Sequence, residues 1–250
     1  MNIVNISPVI LVTGAARRVG AEIARTLHEA GACVAIHYHR SAKEAAELAA
    51  ALNTTRAHSA AAFAADLRDT EALAPLVAAV VEHFGRLDGL VNNASSFYQT
   101  KVGATDTAAW DDLVGTNLKA PLFLAQAAAP HLAQHGGNIV NITDVHAERP
   151  LKGYALYCVA KAGLLGLTRA LAVELGPQVR VNAVAPGAVE WPDQGNDFSP
   201  AERTAIVNHT LLKRVGSASD IARTVKFLIF DAPYITGQVI AVDGGRSAHL

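Results

Sequence analysis

Tyr157 and Lys161 stand four residues apart in the run Tyr157-Cys158-Val159-Ala160-Lys161. On a helix this spacing puts both side chains on one face, where an ammonium lowers a phenol pKa from its ordinary value of about 10 and lets it exchange protons. Asp144, thirteen residues ahead of the tyrosine and just after an apolar run, is placed to join them. A second group has the chemistry of a phosphate cradle. Thr13-Gly14-Ala15-Ala16-Arg17-Arg18-Val19-Gly20 follows one short apolar run and precedes the helical pattern of residues 21–30. Backbone N–H groups and a helix dipole would meet a pyrophosphate there. Each signal also has an ordinary reading: tight turns use glycine, and Tyr–Lys pairs occur on many helices.

The second apolar run ends in His37-Tyr38-His39-Arg40-Ser41, His39 lying nineteen residues beyond Gly20. A site for NAD carries an acid here for the ribose 2′-OH, yet the first acid is Glu44. Arg40, the Ser41 hydroxyl and Arg18 supply cations and a donor instead, with His39 beside them, which suits the 2′-phosphate of NADP(H). His37 and His39 also have the look of metal ligands, but no third ligand at a recognisable spacing accompanies them, so no metal is expected. Asp66-Leu67 closes the third run, where a carboxylate accepts from an adenine amino group, and Asn92-Asn93-Ala94-Ser95 closes the fourth. Turn chemistry alone would account for both.

The elements that must position these groups are short apolar runs at residues 9–13, 33–38, 57–64, 87–92, 138–143, 180–184 and 238–242, separated mostly by Ala-rich amphipathic stretches. Strand then helix, repeated, predicts an α/β domain with a parallel sheet covered on both faces, and ligands then gather at the carboxyl ends of the strands. No linker, repeat or charge block divides the 250 residues, so one domain, 1–250, is expected. The chain is 51% hydrophobic and 17% charged, which excludes disorder. With 21 basic and 22 acidic residues it lacks the basic excess of a nucleic-acid or anionic-membrane binder, and small-molecule partners are expected. Cys33 and Cys158 are too few for a disulfide framework, which fits a reducing cytoplasm. The first basic residue is Arg17, so the amino end has no signal-peptide pattern, and no uninterrupted apolar run reaches the ~18 residues of a membrane span.

The segments 13–20 and 92–94, Asn117, the Tyr157–Lys161 pair, Pro186-Gly187 and the tail Ile235-Thr236-Gly237 with Val242-Asp243-Gly244-Gly245 occur in the order of the short-chain dehydrogenase/reductase family. The sequence resembles that family along essentially its whole length. The resemblance implies a single-domain, Rossmann-type doubly wound parallel sheet of about seven strands with helices on both faces. It implies NADP(H) bound by Gly14, Arg18, Val19, Gly20, His39, Arg40, Ser41, Asp66, Leu67, Asn93, Ala94, Ser95, Tyr157, Lys161, Pro186 and Gly187. Two departures narrow the match: Arg18 replaces the usual middle glycine of the first loop, and Asp144 replaces the usual catalytic serine. Both look like pteridine reductases, as do residues 37–41, Asn93-Ala94-Ser95-Ser96-Phe97-Tyr98 and Gly153-Tyr154. That subgroup resemblance implies that Phe97 sandwiches a pterin against the nicotinamide, that Ser95 and Arg18 bond the ring and cofactor, and that Asn117 holds a relay water and the helix geometry. It also implies that Lys161 holds the nicotinamide ribose.

A serine hydroxyl stabilises a developing alkoxide, whereas an ionised Asp144 would repel it, so a ketone substrate is disfavoured. For a C=N bond the nitrogen must receive a proton, and a relay of Asp144, Tyr157 and Lys161 provides one. The carboxylate could instead accept from a pterin amino group. A dihydropterin, pterin or folate is the expected substrate, with a carbonyl reductase and a non-catalytic NADPH sensor as the alternatives. Residues 188–212, including Glu190-Trp191-Pro192-Asp193-Gln194-Gly195-Asn196-Asp197, are read as a substrate loop, with Trp191 either in the pocket wall or on a lid. Residues 120–133 and 154–175 are apolar around nearly the whole helix and need cover beyond one sheet face. Family resemblance adds a homotetramer.

Overall fold

Short, mostly apolar runs, with buried polar residues such as His37, Asn92, Asn141 and Asn182 inside them, form the strands, and the central ones are covered on both faces. They are β1 (Val9–Val12), β2 (Cys33–Tyr38), β3 (Ala60–Ala64), β4 (Gly89–Asn92), β5 (Asn138–Ile142), β6 (Arg180–Pro186) and β7 (Val239–Val242). The computed structural model describes residues 7–191 and 198–248. Residues 1–6, Pro192 to Asp197 of the substrate loop and residues 249–250 lie outside the described residues. β3 begins three residues later than its composition suggests, because His58 takes a left-handed φ of 57° and the chain is still turning.

All seven strands are parallel in the order β3-β2-β1-β4-β5-β6-β7. The chain runs outward from β1 to β3, then returns to the other side of β1 for β4, so the crevice for a ligand opens between β1 and β4. The helices are α1 (Arg18–Glu29), α2 (Ala42–Thr55), α3 (Leu73–Phe84), α4 (Thr107–Val114), α5 (Ala120–Ala133), α6 (Ala155–Leu175), α7 (Pro200–His209) and α8 (Ala218–Lys226). Alternation along β1 divides the core. Ile10 and Val12 pack with Ile23 and Leu27 of α1, Leu48 of α2 and Ile221 of α8. Val9 and Leu11 pack on the other face with Leu76 and Val80 of α3 and Leu124 and Leu132 of α5.

A buried polar chain fixes the strands that carry the chemistry. Asn92 of β4 donates to Asn141 of β5 at 2.8 Å, Asn141 donates to the Thr168 hydroxyl of α6 at 2.9 Å, and Thr168 donates to the Leu164 carbonyl at 2.8 Å. Such groups are costly to bury unless paired, so the chain holds β4, β5 and α6 in one arrangement. α6 is long and apolar enough to cross a membrane by length and composition, but half of that window is buried in the fold and Lys161 lies within it. The substrate loop is not all loop. α7 begins at a capping box in which Ser199 and Glu202 satisfy each other's backbone N–H groups, with Pro200 at the first turn.

Candidate active site

A cleft of about 810 Å³ runs along the carboxyl edge of the sheet. Every cofactor, substrate and catalytic residue expected from the sequence lines it except Asn117.

The cradle between β1 and α1 is held by side chains that bond backbone. Gly14 has φ 62°, and a Cβ there would come within 2.9 Å of the Ala94 Cα; a Cβ on Gly20 would come within 2.2 Å of the Gly14 carbonyl and 2.6 Å of Asn93 Nδ2. Backbone therefore packs on backbone, and with the Gly14 and Ala15 N–H groups spent on His37 the N–H groups at the start of α1 are the ones left to face a phosphate. Asn93 donates from Nδ2 to the Thr13 carbonyl at 2.8 Å, and Thr13 Oγ1 accepts from the N–H groups of Asn93 and Ala94 at 2.9 and 3.0 Å. His37 completes the fastening. Its Nδ1 accepts from the Gly14 N–H at 3.1 Å and its Nε2 lies 3.2 Å from the Ala65 carbonyl, so Nε2 carries the hydrogen of a neutral ring. Burial pushes its pKa down to about 4. His37 is thus a structural strut, which removes it from the pair of histidines that resembled metal ligands.

Arg18 has a left-handed φ of 52°, a conformation that favours glycine. Its guanidinium crosses the cleft, 3.7 Å from Glu190 Oε2 and donating to the Trp191 carbonyl at 3.5 Å. Arg203 of α7 lies over the Trp191 ring, 5.1 Å from its centre. Trp191 therefore faces the cleft at its rim. At the other end, His39 Nε2 is 3.7 Å from Asp66, and Arg68 grips both Asp66 oxygens at 3.1 and 2.8 Å, holding that carboxyl well below the usual range. Ser41 caps α2 without spending its hydroxyl on the helix. Leu67, Val19, Pro186 and Gly187 complete the walls. The residues present fit a dinucleotide.

The reacting end lies between β5 and α6. The Tyr157 hydroxyl donates to Asp144 Oδ2 at 2.6 Å, and the buried Lys161 ammonium donates to the Ile142 carbonyl at 2.9 Å, 5.7 Å from the centre of the Tyr157 ring. Burial first, and the Asp144 charge second, hold the Tyr157 proton well above the ordinary phenol range. The expected lowering of the phenol by Lys161 is therefore overturned: desolvation and the carboxylate outweigh the ammonium. Lys161 is itself brought down to about 8 by burial, with Asp144 opposing. Ser95 Oγ donates to Asn117 Oδ1 at 2.7 Å, so Asn117 stands behind the cleft and reaches it through Ser95. Phe97 stacks on Tyr154 at 4.6 Å and meets Tyr157 edge-on at 4.8 Å, forming an aromatic wall beside the phenol.

An acid, a buried phenol and a buried ammonium beside a dinucleotide cradle make an oxidoreductase site, and the comparisons agree. A family model described as enoyl-(acyl carrier protein) reductase matches residues 14–247. Pteridine reductase 1 of Leishmania tarentolae is 42% identical across 96% of both chains. The chain belongs to the short-chain dehydrogenase/reductase family. A 3-oxoacyl-[acyl-carrier-protein] reductase of Staphylococcus aureus is also similar, at 40% identity over 94% of this chain and 96% of its own. Members of this family bind NAD(P)H.

Sequence reasoning missed three groups that the site uses. Thr13 gave no signal beyond preceding Gly14; Arg68 could have been noticed two residues after Asp66. Arg246, from the tail after β7, lines the cleft near Asp144 and follows directly on the family's glycine pair.

Proposed function

We propose that this chain reduces a C=N bond in a pteridine ring, with NADPH as the hydride source. The observation that carries this reading is the 2.6 Å bond from the Tyr157 hydroxyl to Asp144. A carboxylate at that position opposes the negative oxygen of a ketone reduction, but it suits a nitrogen that must gain a proton. Tyr157 keeps its proton throughout the neutral range and gives it to the ring nitrogen, which becomes a stronger base than the phenol once hydride has reached the neighbouring carbon. The phenolate so formed is reprotonated by a proton from solvent that passes through Asp144, with the Lys161 charge nearby, and Asn117 positions Ser95 beside it. Phe97 offers a face for a flat ring. Arg40 and the unspent Ser41 hydroxyl favour a 2′-phosphate, with Arg18 reaching across ring and cofactor. Trp191 belongs to the substrate rim. The similarity to pteridine reductase 1 supports the same reading.

The 40% identity to a 3-oxoacyl reductase favours a second reading, reduction of a carbonyl. NADPH oxidation with dihydropterins, dihydrofolate and a panel of ketones and 3-oxoacyl esters separates them. Turnover of the pterins, lost in Asp144→Ser while ketone reduction rises, is the expected result; ketone-only turnover establishes the second reading. The cytoplasm is the proposed location, and a homotetramer the proposed assembly. Leu122, Phe123, Val159 and Val173 on α5 and α6 are exposed in the single chain. A tetramer mass in light scattering would support subunit contact there.

A further inference from the structure

Asp66 stands where the chain leaves β3 at the cleft, and three N–H groups of a single residue hold its carboxylate. Arg68 donates to Oδ1 from its backbone N–H at 3.0 Å and from Nε at 3.1 Å, and to Oδ2 from Nη2 at 2.8 Å. The two side chains are 43% and 33% exposed, so this ion pair adds little to stability. What the planar fork contributes is direction. A carboxylate offers about four lone pairs, two on each oxygen. Both on Oδ1 are spent on Arg68, and among the described residues Oδ2 accepts a hydrogen bond from Nη2 alone. One acceptor direction is left, on the oxygen that His39 Nε2 approaches to 3.7 Å. His39, Arg40 and Leu67 line the cleft beside it.

The fork is anchored at its far edge as well. Arg68 Nη1 lies 3.7 Å from Asp112 Oδ1 on α4, and Asp112 accepts from the Tyr98 hydroxyl. Arg68 is thus stretched between two carboxylates from different elements, and its hold keeps Asp66 ionised far below the neutral range. An ionised carboxylate only accepts. The 6-amino group of adenine donates to it, whereas the 6-oxo group of hypoxanthine turns a second acceptor toward it. A carboxylate free to swing would follow the ring N1–H of the 6-oxo base instead, and the preference would fade.

We propose that Arg68 is the positioning residue for base selection: by leaving Asp66 one fixed acceptor direction, it makes the cleft take dinucleotides of a 6-amino purine and reject those of a 6-oxo purine. The proposal rests on the NADPH reading of the cleft and is independent of which bond is reduced.

The test is fluorescence titration of the protein with NADPH and with deamino-NADPH, which differ only in carrying adenine or hypoxanthine, so the ratio of their Kd values reports the base alone. The native protein is expected to bind NADPH at least about tenfold more tightly, the scale of one hydrogen bond to a charged group. Arg68→Met, which keeps the stem and removes the fork, should bring the ratio below about threefold. Arg68→Lys, which keeps the charge without the fork, should fall with it. In Asp66→Asn the ratio should already be lost, and adding Arg68→Met should change it by less than about twofold, because the arginine acts through the carboxylate. A smaller native ratio, an Arg68→Met protein that weakens both cofactors equally, an Arg68→Lys protein as selective as the native one, or a further fall in the double variant would overturn the assignment. Failure of the NADPH reading would appear separately, as neither phosphate-bearing cofactor binding while NADH and deamino-NADH keep the tenfold ratio.

Discussion

The two ends of the cleft treat buried polar side chains in opposite ways. At the β1–β2 end, Thr13, His37 and Asn93 spend their hydrogen bonds on backbone, and the result is a loop whose shape is fixed before anything binds. At the β5–α6 end, Tyr157 bonds Asp144, and burial moves the proton affinities of Tyr157 and Lys161 in opposite directions. One end stores geometry and the other stores protons. Cofactor affinity and proton delivery should therefore be separable by mutation and by pH.

The largest effect should come from the proton end. Tyr157→Phe keeps the ring and removes the donor, so turnover should fall roughly 10²–10⁴-fold, the usual share of a general acid, while fluorescence titration finds cofactor affinity unchanged. A parallel loss of affinity would erase the distinction between the ends. Lys161 gives the same end a pH signature. Its folded pKa near 8 means that kcat/KM should fall as pH rises through about 8, and Lys161→Arg, which stays charged, should remove that limb.

At the geometric end the expected pH effect is on stability. The His37 pKa is 6.5 when unfolded and about 4 in the fold, so the folded state binds fewer protons between those values. The stability tied to the neutral ring is fully present above pH 6.5 and is lost as pH falls through 4, by about 3 kcal/mol in all. His37→Asn keeps an acceptor near Nδ1 and cannot titrate; denaturant melts of this variant should show a flatter loss across that window. His28, also lowered by burial, remains in both proteins as the internal control. An identical acid profile in the two proteins would show that His37 is no strut.

Cofactor choice comes next in size. Arg40→Glu should weaken NADPH binding by roughly 1.5–3 kcal/mol, the scale of a hydrogen bond to a charged group, and leave NADH little changed. Equal losses would give Arg40 a purely structural part. The smallest effect belongs to the aromatic wall: Phe97→Ala should weaken pterin binding by about 0.5–1.5 kcal/mol beyond lost burial, read as KM, with the Tyr157 step intact.

Strands are legible because short, mostly apolar runs recur between turn residues, and the cleft residues because they cluster just after those runs. What stayed hidden depends on register or burial. His37 shows only as an imidazole on a strand; that it reaches Gly14 on one side and Ala65 on the other follows from the pairing of β2 with β1 and β3. The direction of the Tyr157 shift was misread because spacing reports the ammonium's distance and says nothing of how dry the site is. α7 buries no residue and so lacks apolar periodicity, which makes its sequence read as loop although Ser199 and Glu202 announce its start. Arg246 meets Asp144 only through the fold, about a hundred residues apart in the chain.

Between α4 and α5 the chain does not break; residues 115–119 form one wide π turn, and within it Asn117 donates from its side chain to the Leu113 carbonyl at 2.9 Å and to the Ser96 carbonyl at 3.0 Å. A wide turn accommodates one residue more than the regular spiral around it. Asn117 thus owes its aim to a length of chain as much as to its own identity. Removing Gly115 would tighten the wide turn to the regular spiral and shift the amide from its place opposite Ser95 without altering one cleft side chain. At this position the protein is more vulnerable to a change in spelling length than to a change of letter.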